Sequence, residues 1–152
     1  MLEALNQRVD DVASLNSKLI IVIGPPRSGK TRLLNALAKQ RQVGAVNVGA
    51  ALGHMLLEIP GTRRHVEVGD LFKDVAAAHA ADGLVLLDNI ELLFDRSLRL
   101  NPLDLLKRQA HVRRVVAVWP GEINGSRLIY AARGHPEYQD HGVEGLVPFE
   151  IN

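Results

Sequence analysis

The chain has 152 residues, 47% hydrophobic and 23% charged, which is enough for one good core and too short for a comfortable second. It has no cysteine, which excludes disulfides and thiolate metal centres, and a formal net charge of +1, which argues against a nucleic-acid binder resting on bulk charge. Met1 leads into polar sequence and no apolar run approaches membrane-spanning length, so the expected setting is the cytoplasm, without a membrane partner.

Leu2, Leu5, Val9 and Val12 recur every three or four residues among Glu3, Asn6, Arg8 and Asp11, which predicts an amphipathic helix ahead of the first strand. Asn16 and Ser17 end it. Leu19–Ile23 is an unbroken apolar run, as expected for a strand buried on both faces. Gly24-Pro25-Pro26-Arg27-Ser28-Gly29-Lys30-Thr31 follows at once and fits the pattern G-x-x-x-x-G-K-[ST] at every specified position. Beyond it, Leu33, Leu34, Leu37 and Ala38 recur at helical spacing, with Arg32, Asn35 and Lys39 between them. Strand, glycine-rich turn and helix together predict a triphosphate cradle. Backbone N–H groups of the loop and the positive end of the helix face the phosphates. The expected ATP-binding set is Gly24 through Arg32, with Lys30 reaching the β- and γ-phosphates and the Thr31 hydroxyl completing the Mg²⁺ shell.

Gly44–Val48 reads as a second strand, and Ala50–Glu58 as a helix closed by Pro60-Gly61. Thr62–His65 is expected to be a polar, basic loop, and Val66–Ala80 a helix burying Val68, Leu71, Phe72, Val75 and Ala76. Leu84–Asp88 resembles the second P-loop signature, a buried strand ending in an acid that holds Mg²⁺ through water. Asn101-Pro102-Leu103-Asp104 starts a helix that runs to about Ala110. Val115–Trp119 and Leu128–Ala131 are further strands, and Leu146–Ile151 an edge strand. The whole, 1–152, is expected to be one nucleotide-binding domain.

Two features depart from hydrolytic P-loop ATPases of the additional-strand (ASCE) class, which includes the AAA+ family. Those proteins usually place a glutamate after the magnesium aspartate, where this chain has Asn89. An amide orients a water but cannot take its proton. Glu91 reaches the γ-phosphate only if the chain turns sharply after Asp88, so Asn89 and Glu91 share the candidate catalytic list with Lys30. The second departure is that Pro120–Arg127 is too short for a parallel crossover, which makes the flanking strands antiparallel or not directly paired. The expected fold is α/β: a three-layer αβα, P-loop NTPase-like domain with a mostly parallel central sheet. It is a trimmed AAA+/ASCE-like core without a helical lid and with antiparallel pairing among its C-terminal strands. Whether the Asp88 strand lies beside the first strand or one place removed stays open at this point.

The run Leu86-Leu87-Asp88-Asn89-Ile90-Glu91-Leu92-Leu93-Phe94-Asp95, then Ser97-Leu98 and Asn101–Leu106, resembles the BrxF family. These are small P-loop proteins of type 3 BREX (bacteriophage exclusion) systems. The resemblance extends over Val115–Gly121, Leu128–Ala131 and Gly134-His135-Pro136-Glu137-Tyr138, and so spans most of the chain. It implies a component of a prokaryotic anti-phage defence system, working with a larger BREX ATPase, a DNA methyltransferase and a phosphatase-like protein. The expected function is a weak or partner-activated ATPase or nucleotide switch. The alternatives are a small-molecule or nucleotide kinase and a non-hydrolytic ATP-binding adaptor.

Gly134–Tyr138, with Asp140 and His141 following, is rich in polar chemistry. A surface turn is the first reading, a contact with a partner or nucleotide the second; a metal site is third, since His135 and His141 do not share a helix face. Trp119 reads as a core aromatic before a nucleotide contact. Arg63, Arg64, Arg96, Arg99, Arg113 and Arg114 are candidates for reaching a neighbouring subunit's triphosphate in a homo-oligomer. With Lys107 and Arg108 they are also candidates for a DNA contact if they share a face.

Overall fold

The apolar run of the first strand sits at the centre of the molecule. The computed structural model describes residues 1–152, and in it Leu19–Ile23 forms β1 with all five residues buried. Alternation across the strand divides the core. Leu19, Ile21 and Ile23 face one apolar layer, and Ile20 and Val22 face the other, as the period of two requires.

The elements run as α1 (Leu2–Asp11), β1, α2 (Lys30–Arg41), β2 (Ala45–Asn47), α3 (Val48–Leu57), α4 (Arg64–His79) and β3 (Leu84–Asp88). Two short 3-10 turns, Glu91–Phe94 and Arg96–Leu98, lead to α5 (Pro102–Ala110) and β4 (Arg114–Val118). Then come β5 (Glu122–Asn124), β6 (Arg127–Tyr130), β7 (Gln139–Gly142) and β8 (Val147–Glu150). The main sheet has the order β2-β3-β4-β1-β8 and is parallel throughout. Helices α1 and α2 cover one face, and α3, α4 and α5 the other, giving the three-layer αβα arrangement expected from the sequence. β4 lies between β1 and β3, so the Asp88 strand is one place removed from the strand that feeds the phosphate loop.

Local chemistry explains the element ends. Asn47 caps α3 by accepting the Ala50 N–H at 3.0 Å, and Asn101 caps α5 by accepting the Asp104 N–H at 3.1 Å, with Pro102 at the first helical position. Helix α1 is tied down by Arg41, whose guanidinium donates to Asn6 Oδ1, to the Asn6 carbonyl at 3.0 Å and to Asp10 at 2.9 Å.

One expectation is corrected, and the C-terminal strands take places that the sequence left open. Arg64 and His65 belong to α4 and not to a loop, because the Arg63 carbonyl accepts from both Val66 and Glu67 and winds the turn early. The Leu128 strand does not join the main sheet. It is the middle strand, β6, of a second, antiparallel sheet ordered β5-β6-β7. The last strand, β8, is an edge strand but pairs in parallel with β1. The chain from Trp119 to Leu146 thus links two parallel strands, β4 and β8, through a small sheet in the role usually taken by a helix. Trp119 and Leu128 are fully buried and weld that sheet to the α3–α5 side of the core.

Candidate functional site

The end of β1 releases directly into Gly24, and the two glycines of the loop are needed for different reasons. Gly29 has φ +95°, a left-handed conformation that disfavours any side chain. Gly24 has no room: a Cβ there would lie 2.6 Å from Ser28 Oγ and 2.8 Å from the Ile151 carbonyl oxygen. The Ser28 N–H closes a turn onto the Pro25 carbonyl at 3.1 Å, and Arg27 also takes positive φ, 63°. Left-handed residues at 27 and 29 fold the loop tightly ahead of α2.

Two polar groups of this loop mark its interior. Ser28 Oγ is buried and makes no hydrogen bond. Lys30, half-buried at the first position of α2, donates from Nζ to the Gly24 carbonyl at 2.7 Å and so folds its charge across the mouth of the loop. A buried orphan hydroxyl is a free-energy cost, about 1–3 kcal/mol, that an anion acceptor would relieve. Thr31 and Arg32 follow on exposed positions of α2.

Asp88 ends β3 in register with Asn47 of β2. Continuing the β3–β4 and β4–β1 registers by one step sets Asp88 level with Val118 and Val22. Two strand spacings separate its backbone from β1, roughly 10 Å. The Asp88 carboxylate accepts the Asn89 N–H at 2.8 Å. Asn89 has φ +53°, a left-handed conformation directly after β3, and Glu91 does not line the cleft beside the loop. The Asn89 amide is engaged elsewhere. Nδ2 donates to Asn47 Oδ1 at 2.8 Å, and the Asn89 carbonyl accepts the Gly49 N–H at 2.9 Å. Glu91 is exposed in the first 3-10 turn, near enough to Tyr130 to act on it. The Tyr130 phenol is held above its ordinary range, first by burial and then by the charges of Glu137 and Glu91.

A cleft of about 640 Å³ opens beside the loop. Gly24, Pro25, Pro26 and Lys30 form one wall; Pro120–Ile123 and the Ile129–Ala132 region, from the small sheet and its approach, form the opposite one. Glu150 and Asn152 line it from the end of β8. Sequence reasoning placed none of Asn47, Glu122, Glu150 or Asn152 in the site. Only Asn47 carried a usable signal, as a cap-type residue just before an apolar helical run.

Trp119 is a core residue, with its ring edge-on to Phe94 at 5.2 Å and to His141 at 6.2 Å. Its indole N–H donates to the Ile129 carbonyl at 3.0 Å. His141 lies in β7 and not in a turn, while His135 stays in the exposed turn and accepts the Glu137 N–H at Nδ1. Five of the basic residues are tied to neighbours within the chain. Arg114 is half-buried and donates to the Asp82 carbonyl at 2.9 Å, Arg113 is held by Gln109, and Arg108 pairs with Asp104 at 2.8 Å. Arg63 pairs with Glu67 at 3.5 Å, and Arg64 donates to the Ile59 carbonyl.

No family model and no curated protein matches the chain. Among solved structures, the chain is similar to AMPPCP-bound DnaA from Aquifex aeolicus, with a TM-score of 0.52 at 17% identity. The match covers 99% of this chain and 44% of that one, so the chain spans under half the length of its structural neighbour. The likeness concerns the fold: a P-loop NTPase-like α/β domain with a mostly parallel central sheet. No helix is long and apolar enough to cross a membrane.

Proposed function

We propose that this chain binds ATP with Mg²⁺ and uses it as a switch or turns it over slowly, as a component of an anti-phage defence assembly of the BREX type. The observation that carries the reading is the loop itself. A buried Ser28 hydroxyl without a partner and a lysine folded onto its own loop carbonyl are two donors held ready for phosphate oxygens. The AMPPCP-bound state of the DnaA structure supports the same reading of a shared fold.

In this reading Lys30 exchanges the Gly24 carbonyl for phosphate oxygens, at little loss because one charge-assisted hydrogen bond replaces another. The Thr31 hydroxyl and the Asp88 carboxylate would hold Mg²⁺, which would supply charge neutralisation to the phosphate oxygens. Asn89 does not serve as a base. Its amide has no proton-accepting function at neutral pH and is held by Asn47. Glu91 is the next carboxylate along the chain that can accept a proton from water, and its exposed place on a short 3-10 turn fits activation by a partner. The adaptor reading, binding without turnover, draws on that missing adjacent base. The kinase reading draws on the cleft, whose Glu122 and Glu150 carboxylates would face an acceptor.

Phosphate release from ATP and GTP, measured with Lys30→Ala as the control, tests the first reading. Turnover that Lys30→Ala abolishes supports an ATPase, and tight binding without turnover supports the adaptor. Transfer to a metabolite instead of water moves the kinase to the front. The defence role rests on the sequence resemblance through Asp88–Asp95 and Gly134–Tyr138. Co-purification with the larger BREX ATPase or methyltransferase, and phage plating with Lys30→Ala, test it directly.

A further inference from the structure

Away from the phosphate loop lies a groove of about 630 Å³, bounded by Gly61, Thr62, His65, Arg96, Ser97 and Arg99. It contains no apolar side chain and no carboxylate. The start of α4 with the loop before it, and the second 3-10 turn, build it, so its two walls are brought together by tertiary packing. Unlike Arg63, Arg64, Arg108, Arg113 and Arg114, neither Arg96 nor Arg99 makes an ion pair or a side-chain hydrogen bond. Of the two acids beside them, Asp95 accepts the Ser97 N–H at 2.9 Å and the Ser97 hydroxyl at 2.7 Å, and Glu137 lies on their other side. Two free guanidiniums, an imidazole and the Thr62 hydroxyl around a hollow without hydrophobic residues match phosphate oxygens.

The same two arginines have a second side. They also wall a smaller hollow, about 260 Å³, whose other faces include Phe94, Pro136, Tyr138 and the acids Asp95 and Glu137. Tyr138 is half-buried there, and its flat ring beside Pro136 suits a stacked base. A phosphate groove sharing its wall with an aromatic hollow reproduces the alternation of phosphate and base along an unpaired strand. A duplex hides its bases and uses only the first. We propose that single-stranded nucleic acid lies across Arg96 and Arg99, with phosphates in the groove and a base against Tyr138. The net charge of +1 then means that attraction is local to this strip. No residue of the phosphate loop takes part, so the inference stands apart from the nucleotide reading.

The test is fluorescence anisotropy of labelled oligothymidine and of a labelled mixed-sequence duplex, titrated with the full chain over a range of salt. The single strand binds more tightly than the duplex. Arg96→Gln with Arg99→Gln weakens it at least tenfold and lowers the slope of log affinity against log salt by about 1.4, which is two phosphate contacts on a single strand. Tyr138→Ala weakens it about fivefold or more and leaves that slope unchanged. Lys30→Ala binds the oligomer as the parent does, which keeps failure of the ATP reading separate. Unchanged affinity and slope in the double arginine variant overturn the proposal, as does a duplex bound as tightly as the single strand. It is also overturned if the arginine variant keeps oligothymidine affinity and loses instead a dependence of ATP turnover on protein concentration, which would assign the arginines to a neighbouring copy's triphosphate.

Discussion

Asn89 Nδ2 and Asn47 Oδ1 meet at 2.8 Å across the ends of β3 and β2, and the same Asn47 oxygen accepts the Ala50 N–H that begins α3. One oxygen therefore caps a helix and restrains the residue after Asp88. A carboxylate at position 89 would meet Asn47 Oδ1 acceptor to acceptor and be driven off it. Asn89→Glu is expected to raise phosphate release by about 10²-fold, the lower end of what a positioned base contributes. Loss of the Asn47 contact should cost about 1 kcal/mol of stability. Steady-state phosphate release together with a urea titration reads both. Unchanged turnover would show that the missing base is not the limit.

Gly24 lies under Ile151, with a Cβ position only 2.8 Å from the Ile151 carbonyl oxygen. Gly24→Ala must push the loop outward or lift the end of β8. ATP affinity measured by calorimetry should fall at least tenfold while the far-UV spectrum stays the same. Lys30→Ala should lose roughly 10- to 100-fold, the range of one charge-assisted hydrogen bond.

Gly121 is packed still more closely, since a Cβ there would overlap the Ile129 carbonyl that accepts the Trp119 indole N–H. Gly121→Ala should break that bond and separate the small sheet from the core. Trp119→Ala should cost about 3–5 kcal/mol, as for other fully buried aromatics. Urea midpoints check both variants, with Trp119→Phe expected to lose less because it keeps most of the packing.

His141 sits half-buried against Trp119 with its pKa below the ordinary 6.5, mainly by burial and then by the nearby Lys107 charge. Asp140 opposes the shift, and Arg127, which pairs with Asp140, adds to it. The unfolded chain takes up this proton more readily than the folded one. The stability contributed by neutral His141 is therefore whole above 6.5 and is lost as pH falls through that value toward the folded one. Urea midpoints followed from about pH 7.5 to about pH 5 should drop more steeply in the parent than in His141→Asn. Parallel curves would remove His141 from the account.

Contiguous pattern made most of the main sheet legible. Leu19–Ile23 and Leu84–Asp88 read as buried strands because each is apolar on both faces, and Asn101-Pro102 marked α5 to the residue. The phosphate loop was legible for the same reason: its specification lies within eight adjacent residues. The region from Trp119 to Leu146 was not. β5 and β7 are short and polar, with Gln139-Asp140-His141-Gly142 carrying no apolar alternation, and they exist because β6 lies between them to pair with. The two-strand offset of Asp88 depends on β4 inserting beside β1, a long-range pairing that no local window contains. The division of the arginines into tethered and free was hidden likewise, since Arg114 finds its acceptor at Asp82, far away in sequence.

The only tryptophan in the chain stands at the seam between the two sheets, wholly shielded from water, with its N–H bound to a carbonyl of the strand that lines the cleft. It is a built-in optical gauge. Any ligand that shifts β6 will change the wavelength or intensity of its emission, so occupancy of the cleft can be followed in the unlabelled protein.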